Sequence, residues 1–358
     1  MTKPDDDHQF NNTWESRKEA LRAKALEMGF VMAGFAPLKP PPHADALQPW
    51  LSAGRHAEMS WMMRAPEKRA DPARLVGDAG VLMVLGWFFL VEERANDRDS
   101  SRGLIACYAR RSDYHTLLKE KAEQLANWLE EEIGQPIPHR SFVDTAPLLE
   151  KPLATAAGLG WQGKNTLLVT KGFGCQLMLA ELYLPLPMAP DTTAPEAHCG
   201  SCDLCQKACP TGALDDDYRI DAGRCLAYLT VEKRNALPEE FRPALGNRIF
   251  GCDACITACP WNRFAPAPSD ARSVPEERFS RALTEWAGFD EPTFRNCFAG
   301  TPVERLGLSR FLRNVATALG NWQHPDALAP LRELMQHPSP LVREHAARAL
   351  ESHPNKTD

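Results

Sequence analysis

The spacing of apolar residues predicts alternating helices and strands over roughly the first half of the chain. Two amphipathic helices are indicated by apolar residues at helical spacing before a glycine: Leu21, Ala25 and Met28 before Gly29, and Leu118, Ala122, Leu125 and Leu129 before Gly134. Apolar runs predict strands at 30–35, 80–91, 166–170 and 176–184. The run 80–91 is apolar enough for a central strand. This alternation predicts an α/β domain.

Two proline-rich stretches mark the predicted domain boundaries. The first, 185–195, separates the α/β half from the cysteine cluster, and the second, 265–275, follows that cluster. We therefore predict three domains: an α/β domain at 1–190, a cysteine-rich domain at 191–265 and a helical domain at 276–358. In the last domain, short helical patterns at 306–319, 326–335 and 341–350 are broken by prolines. Paired helices of this length are typical of a HEAT-type repeat.

The composition indicates a globular protein with a large core. The 358 residues are 44% hydrophobic and 25% charged, and no apolar run is long enough to cross a bilayer. The first residues show no export signal, so we expect a cytoplasmic protein without a membrane partner. Eleven cysteines in a reducing compartment favour metal binding over disulfides. The net charge of −6 gives no global attraction for nucleic acid, so an RNA partner would need a local basic surface.

Eight of the cysteines form a pattern that is typical of two 4Fe–4S clusters. The first four are spaced C-x2-C-x2-C-x3-C and followed by Pro210, as in bacterial two-cluster ferredoxins, and a second C-x2-C-x3-C is followed by Pro260. In this spacing the fourth thiolate of the first run reaches toward the other cluster. We assign one cluster to Cys199, Cys202, Cys205 and Cys259, and the other to Cys209, Cys225, Cys252 and Cys255. Zinc is disfavoured because the cysteine–proline ending occurs twice.

The three remaining cysteines, Cys107, Cys175 and Cys297, fall outside this pattern. We interpret them as small buried hydrophobic residues and assign them no ligand role.

A glycine motif at Gly158, Gly160 and Gly163 satisfies G-x-G-x-x-G. A dinucleotide site needs this motif between a strand and a helix, whereas here it follows a helix-like segment, 148–157, and precedes a strand. We reject dinucleotide binding. The glycines either form a tight turn or let the backbone approach another large cofactor.

Asp144 has two competing interpretations from local pattern. It lies after an apolar pair and three residues before Pro147, which suits a helix N-cap. The alternative is a general acid whose pKa is raised by partial burial. The local pattern favours the cap.

Several segments together resemble the epoxyqueuosine reductase family, cobalamin-dependent iron–sulfur enzymes of queuosine biosynthesis. They cover nearly the whole chain and comprise EKR at 67–69, DYH at 113–115, VDTAPLLEK at 143–151, GLGWQGKN at 158–165, the cluster cysteines and CLAYLT at 225–230. The resemblance implies an α/β cobalamin-binding N-terminal domain, a ferredoxin-like two-cluster 4Fe–4S domain and an α-helical HEAT-like C-terminal domain. Cobalamin would lie in the first domain against the second, without a histidine ligand from the protein.

The same resemblance implies reduction of the epoxide of epoxyqueuosine at the tRNA wobble position, giving queuosine and water. The clusters would pass single electrons to the cobalt. Asp144 matches the proton donor, which reverses the preference for a cap, and Lys151 would position the substrate or that acid. Asp144 also counts among the residues that match cobalamin contacts, the others being Arg69, Leu168, Leu179, Ala227, Cys252 and Asp253. His115 is then no cobalt ligand, although a place in the substrate site stays open for it.

The expected partners are tRNA carrying epoxyqueuosine and an external electron donor of flavodoxin or ferredoxin type, with the protein acting as a monomer. Candidate phosphate contacts are 232–234, Arg305, Arg310 and Arg313, although a solvated helix face is the better explanation for any one of them taken alone. Two other functions compete. A reductive dehalogenase is disfavoured by the absence of a twin-arginine signal. A plain electron carrier would not need the 198 residues that precede Cys199.

Overall fold

The computed structural model describes residues 4–89, 98–191, 195–216, 218–266 and 278–355. The chain divides into two compact units. Unit 1 comprises Met1–Phe89, Tyr114–Asp203 and Cys259–Pro266, and unit 2 comprises Leu90–Asp113, Leu204–Ala258 and Ala267–Asp358. The domain limits predicted from the proline-rich stretches stay a prediction.

The helices, in chain order, are α1 Pro4–Glu27, α2 Leu47–Ser52, α3 Pro66–Ala70, α4 Ala73–Val76, α5 Tyr114–Ile133, α6 Glu150–Ala156, α7 Leu204–Lys207, α8 Arg242–Leu245, α9 Ala254–Thr257, α10 Leu283–Ala287, α11 Glu291–Phe298, α12 Leu308–Trp322, α13 Leu328–Leu334 and α14 Pro340–Glu351. The strands are β1 Met32–Ala36, β2 Val81–Phe88, β3 Leu104–Ile105, β4 Arg140–Phe142, β5 Trp161–Gln162, β6 Leu168–Val169, β7 Leu177–Leu184 and β8 Arg248–Phe250. Short 3₁₀ turns connect many of them, and Tyr228–Glu232 forms a π-helical turn.

Unit 1 is built on a four-stranded sheet in the order β1-β2-β7-β4, and every neighbouring pair is antiparallel. Strand β2 lies between β1 and β7, as the apolar run predicted. Its side chains alternate between the two faces. Val81, Met83 and Leu85 pack into the core with α1 and α5, whereas Leu82 and Val84 pack into the core with α6. Helices on both faces confirm the predicted α/β domain.

Helix α1 ends in a glycine-centred motif that also shortens the predicted strand. Gly29 has φ +94, its N–H donates to Leu26, and the N–H of Phe30 donates to the carbonyl of Ala25. This is the Schellman arrangement, which needs a left-handed residue at the glycine position. Phe30 therefore closes the helix, and β1 begins at Met32 rather than at residue 30.

Two other predicted strands also differ from the structure. Of the run 166–170, only Leu168–Val169 is a strand, and it pairs with β5 in a separate two-stranded sheet. The end of the run 80–91 lies outside the described residues, beyond the last strand residue, Phe88.

Unit 2 contains the C-terminal helices around one apolar core. Trp286, Phe311 and Leu312 are fully buried in it. The three predicted helices are observed as α12, α13 and α14, with ends shifted by up to three residues. A short parallel pair, β3 and β8, joins the cysteine region to this core. Within the described part of the chain, no helix combines the length and hydropathy needed to span a membrane.

Candidate functional site

The segment between β4 and α6 in unit 1 carries Asp144 on a strained turn. Asp144 has φ +57, a left-handed conformation that is unfavourable for most non-glycine residues but tolerated by aspartate. Helix α6 begins at Glu150, and its N-cap is Leu149. Asp144 therefore does not cap this helix, and the interpretation as a helix N-cap is wrong.

The Asp144 side chain contacts the first two residues of α5. Its Oδ2 accepts a hydrogen bond from the Tyr114 hydroxyl at 2.9 Å, and His115 Nε2 lies 3.4 Å from the same oxygen. The two rings are stacked with their centroids 4.0 Å apart, so each limits the movement of the other. The start of α5 thus fixes the orientation of the Asp144 carboxyl group.

These contacts lower the pKa of Asp144 to about 2. The largest cause is the hydrogen bond with His115, and the positive charge of Lys151 and the Tyr114 hydroxyl act in the same direction against the effect of burial. The expectation of a raised pKa was wrong, because partners that stabilise the carboxylate outweigh desolvation. Asp144 is therefore ionised at neutral pH.

Glu150 lies directly behind this turn. Its Oε1 accepts a hydrogen bond of 2.6 Å from the backbone N–H of Asp144. Burial and the nearby Asp144 charge raise the pKa of Glu150 to about 7. A third carboxyl, Glu181, lies on the central strand β7 with no exposed surface, and burial followed by the charge of Glu150 raises its pKa well above the usual range. The three carboxyls therefore have very different proton affinities.

Sequence reasoning missed Glu150 and Glu181 as members of this site. Glu181 gave a usable signal, because it is the only charged residue in the strand LMLAELYL, and a charge in a buried strand needs a reason. Glu150 gave a weaker one, since glutamate is common in the first turn of a helix.

The residues matched to cobalamin contacts are divided between the two units. In unit 1, Leu168 and Leu179 are buried in one apolar cluster. Arg69 lies in the same unit, and its buried Nε has no hydrogen-bond partner among the described residues. In unit 2, the Asp253 carboxylate accepts a hydrogen bond from the Cys107 N–H at 2.7 Å. The unpaired guanidinium N–H of Arg69 suits a large ring carrying polar amide side chains, so this part of unit 1 fits the expected cofactor.

The proposed second cluster ligands all lie in unit 2 and influence one another. Burial raises the pKa of Cys255 far above its usual value, and the charges of Cys225, Cys252 and Cys209 raise it further. Burial also raises the pKa values of Cys225 and Cys252. This mutual repulsion indicates that the four sulfurs lie near one another, and Cys205 of the other proposed set also acts on Cys255. Iron binds the thiolate form of cysteine, so cluster binding at these residues would release their protons.

Cys209 differs from its three neighbours. Burial raises its pKa, but hydrogen bonds from Thr211, Ala213 and Leu214 outweigh burial and lower it. The Ala213 N–H lies 3.2 Å from its sulfur. Backbone N–H groups of this kind also surround sulfurs that ligate iron–sulfur clusters. No group of three or more His, Cys, Asp or Glu side chains in the described ranges is arranged to hold a single metal ion.

The other proposed cluster set is shared between the units, with Cys199, Cys202 and Cys259 in unit 1 and Cys205 in unit 2. Its grouping stays a prediction. The pKa of Cys259 is lowered to about 7, chiefly by a hydrogen bond with Cys175 and then by the backbone of Trp261 and Asn262.

The three cysteines outside the pattern are all buried, as expected: Cys107, Cys175 and Cys297. Cys175 is nevertheless more than a packing residue, because it contacts a proposed ligand.

The glycine motif follows α6 and spans β5, with Gly163 before β6, so the predicted helix-then-strand order is confirmed. A Cβ on Gly160 would lie 2.3 Å from the Val169 carbonyl oxygen, and one on Gly163 would lie 2.7 Å from Asn165. These glycines permit close packing around the β5–β6 pair rather than phosphate binding.

The arginines proposed to contact phosphate differ in their exposure. Arg313 has no exposed surface and donates to the carbonyls of Lys233, Asn235 and Leu229, so its proposed contact with tRNA is wrong. Arg310 is half-buried and donates to three backbone carbonyls, including that of Val231. Arg305 stays exposed, in an ion pair of 2.9 Å with Asp113.

Three family models match consecutive parts of the chain. The model described as epoxyqueuosine reductase QueG, DUF1730 matches residues 69–145, the 4Fe–4S double cluster binding domain matches 198–262, and HEAT repeats match 309–357. The double-cluster match and the HEAT match confirm the predicted cofactor type of the cysteine region and the predicted C-terminal fold.

Full-length relatives carry the name of one enzyme. The epoxyqueuosine reductase of Pseudomonas aeruginosa is 39% identical over 342 residues, covering 94% of each chain. That of Xanthomonas campestris pv. campestris is 40% identical over 339 residues, covering 93% of this chain and 95% of the relative. A crystal structure of epoxyqueuosine reductase with an epoxyqueuosine-modified tRNA-Tyr stem loop aligns with a TM-score of 0.86 and 29% identity, covering 96% of this chain and 95% of that one.

Proposed function

Because this chain belongs to the epoxyqueuosine reductase family, we propose that it reduces the epoxide of epoxyqueuosine in tRNA to give queuosine and water. The observation that carries the proposal is the full-length match, which extends over both units. Among these relatives is an enzyme crystallised with an epoxyqueuosine-modified stem loop. The chain is accordingly an oxidoreductase.

The proposed reaction consumes two electrons and two protons. Both carbon–oxygen bonds of the epoxide break, a carbon–carbon double bond forms, and the oxygen leaves as water. Bound cobalamin would supply low-valent cobalt as the reductant, and the two 4Fe–4S clusters would relay electrons to it one at a time from a donor protein of flavodoxin or ferredoxin type.

The chain itself would hold the cofactors and move the protons. Arg69, Leu168 and Leu179 of unit 1 would contact cobalamin, as would Ala227, Cys252 and Asp253 of unit 2. The two sets of four cysteines would ligate the clusters as assigned from their spacing.

Asp144 would donate protons to the departing oxygen. Tyr114 and His115 support this role because they hold its carboxyl group in one orientation. Lys151 would help to position the substrate, since its charge already acts on Asp144.

The tRNA substrate would place the protein in the cytoplasm, where we propose that it acts as a monomer. Of the candidate arginines, Arg305 is the best placed to contact a phosphate, because its side chain is 54% exposed.

The test is anaerobic reconstitution with iron, sulfide and cobalamin, followed by incubation with tRNA carrying epoxyqueuosine and a low-potential reductant. Nucleoside mass spectrometry should show epoxyqueuosine converted to queuosine. A fully loaded protein that leaves epoxyqueuosine unchanged would contradict the proposal. Debromination of a halogenated phenol by the same preparation would instead point to a dehalogenase.

A further inference from the structure

Asp144 poses a problem as a proton donor, because its surroundings keep it ionised. His115, Lys151 and Tyr114 all stabilise the carboxylate. A carboxylate has no proton to give, yet the proposed reaction consumes two. Each proton must therefore reach Asp144 from a neighbouring group or from solvent, to which its side chain is 55% exposed.

Glu150 lies in contact with the turn that carries Asp144. The 2.6 Å hydrogen bond from the Asp144 N–H to Glu150 Oε1 joins the two residues directly. Because that N–H and the Asp144 carboxyl group belong to one residue, this hydrogen bond holds the Glu150 carboxyl against the residue that would receive its proton.

Glu181 extends this arrangement into the sheet. It pairs with Val84 of β2 and Phe142 of β4, and its side chain points to the face of β7 that carries Leu179, toward α6. Neither carboxyl oxygen has a hydrogen-bond partner among the described residues. An unpaired carboxylate in such a place costs several kcal/mol, so the neutral acid is favoured.

Charged groups from several elements of unit 1 act on the two glutamates. Glu150 is near Asp144 of the preceding turn, Lys151 of α6, His115 of α5 and Arg69 of α3. Glu181 is near Glu150, Asp144 and Lys151. Burial is the largest cause of the raised pKa of both glutamates. Environments that separate the pKa values of neighbouring acids commonly mark a division of roles between them.

We propose that the partly exposed Glu150 and the buried Glu181 form a carboxyl pair that holds a proton and uses it to reload Asp144. This rests on the proposed function. In each transfer the O–H bond of Glu150 breaks and its proton moves to Asp144. The O–H bond of Asp144 then breaks and that proton moves to the departing epoxide oxygen. Glu181 and then solvent restore the proton on Glu150, and a second round completes the water molecule with the two electrons of the proposed reaction.

A purely structural role for Glu150 predicts something different. Its hydrogen bond also stabilises the left-handed backbone at Asp144, and that function survives in Glu150→Gln, whose amide oxygen accepts the same bond. The glutamine cannot release a proton as a carboxylic acid does. This variant therefore separates the two roles, and Glu150→Asp restores an exchangeable proton at a shorter reach.

The experiment measures single-turnover queuosine formation by the reconstituted holoenzyme from about pH 5 to about pH 9. In the wild type, the rate should fall as pH rises, because a carboxyl with a raised pKa is protonated below that pKa and empty above it. Glu150→Gln should lose at least about tenfold at acidic pH and should lack this fall, with partial recovery in Glu150→Asp.

Glu181→Gln tests the pair through the pH at which the single-turnover rate falls. In a coupled pair of acids the second proton is held to a higher pH than it would be by one acid alone. Removal of one carboxyl should therefore shift the fall in rate to lower pH, and it should lower the rate at acidic pH by about threefold or more because Glu181 no longer restores the proton on Glu150. The matched surface control is Glu132→Gln on α5, which should keep the wild-type rate and profile.

Infrared spectroscopy of the same holoenzymes without tRNA gives a test that does not depend on turnover. The wild type should show a protonated-carboxyl band that disappears at high pH. The band should be weaker in Glu150→Gln and in Glu181→Gln. If the wild type forms no queuosine but shows this band, only the proposed function fails. If it forms queuosine, and Glu150→Gln keeps both the wild-type rate and its pH dependence, the proton-reloading role is overturned.

Discussion

The second cysteine set in unit 2 and the carboxyl site in unit 1 reach their chemistry by different routes. Cys252 and Cys255 lie three residues apart, so short-range spacing alone brings their sulfurs toward one cluster. Asp144 and Glu150 are six residues apart, but Glu181 joins them only because α6 packs on strand β7. Ligand identity is therefore encoded locally, whereas the proton affinity of an acid depends on the tertiary fold.

The largest effect is expected for a substitution in the second cysteine set. Cys255→Ser should remove one cluster, because the sulfur is buried among three other proposed ligands. Iron content should fall from about eight to about four atoms per chain, and queuosine formation should be lost. Iron analysis and electron paramagnetic resonance measure this.

The matched control is Cys297→Ala, which removes a buried cysteine outside the pattern. It should retain full iron content. An unchanged iron content in Cys255→Ser would contradict the assignment of this residue.

The next effect concerns the acid. Asp144→Ala should reduce turnover about 10²-fold or more, because the group proposed to protonate the departing oxygen is removed. The visible spectra of cobalamin and the clusters should be unchanged. Turnover within about threefold of the wild type would leave Asp144 with only a structural role on its turn.

A smaller effect is expected for cofactor binding. Arg69→Gln should weaken cobalamin binding about tenfold, since the buried Nε that has no partner among the described residues is lost as a charged donor. Absorbance titration of the cluster-loaded protein measures the affinity. Arg74→Gln, on the adjacent helix with a side chain 61% exposed, is the control and should bind cobalamin as the wild type does.

The smallest effect tests the orientation of the acid. Tyr114→Phe removes one of the hydrogen bonds to Asp144 and should raise its pKa toward the ordinary value, while His115 and Lys151 continue to lower it. We expect a loss of roughly threefold in single-turnover rate. A loss as large as that of Asp144→Ala would assign Tyr114 a direct part in proton transfer.

The same contrast explains what could be predicted from the sequence. The fold class, the central strand β2 and the helix ending at Gly29 followed from apolar spacing and a glycine. The cofactor type followed from cysteine spacing. These features depend on residues that are close in the chain.

The failures share the opposite property. The raised pKa expected for Asp144 was wrong because His115, which acts on it, lies 29 positions away in the chain. The tRNA contact proposed for Arg313 was wrong because this side chain is buried against carbonyl groups of a distant segment around Leu229. The local sequence gives no sign of that burial. Neither partner can be identified from local pattern.

The central claim is that the protein consumes its electrons on epoxyqueuosine rather than merely carrying them. The most direct test is an anaerobic titration in which the holoenzyme, with excess epoxyqueuosine-containing tRNA, receives measured amounts of reductant and queuosine is counted. We predict one queuosine for every two electrons. Electrons that accumulate in the clusters, or pass on to another acceptor, without formation of queuosine would contradict the claim.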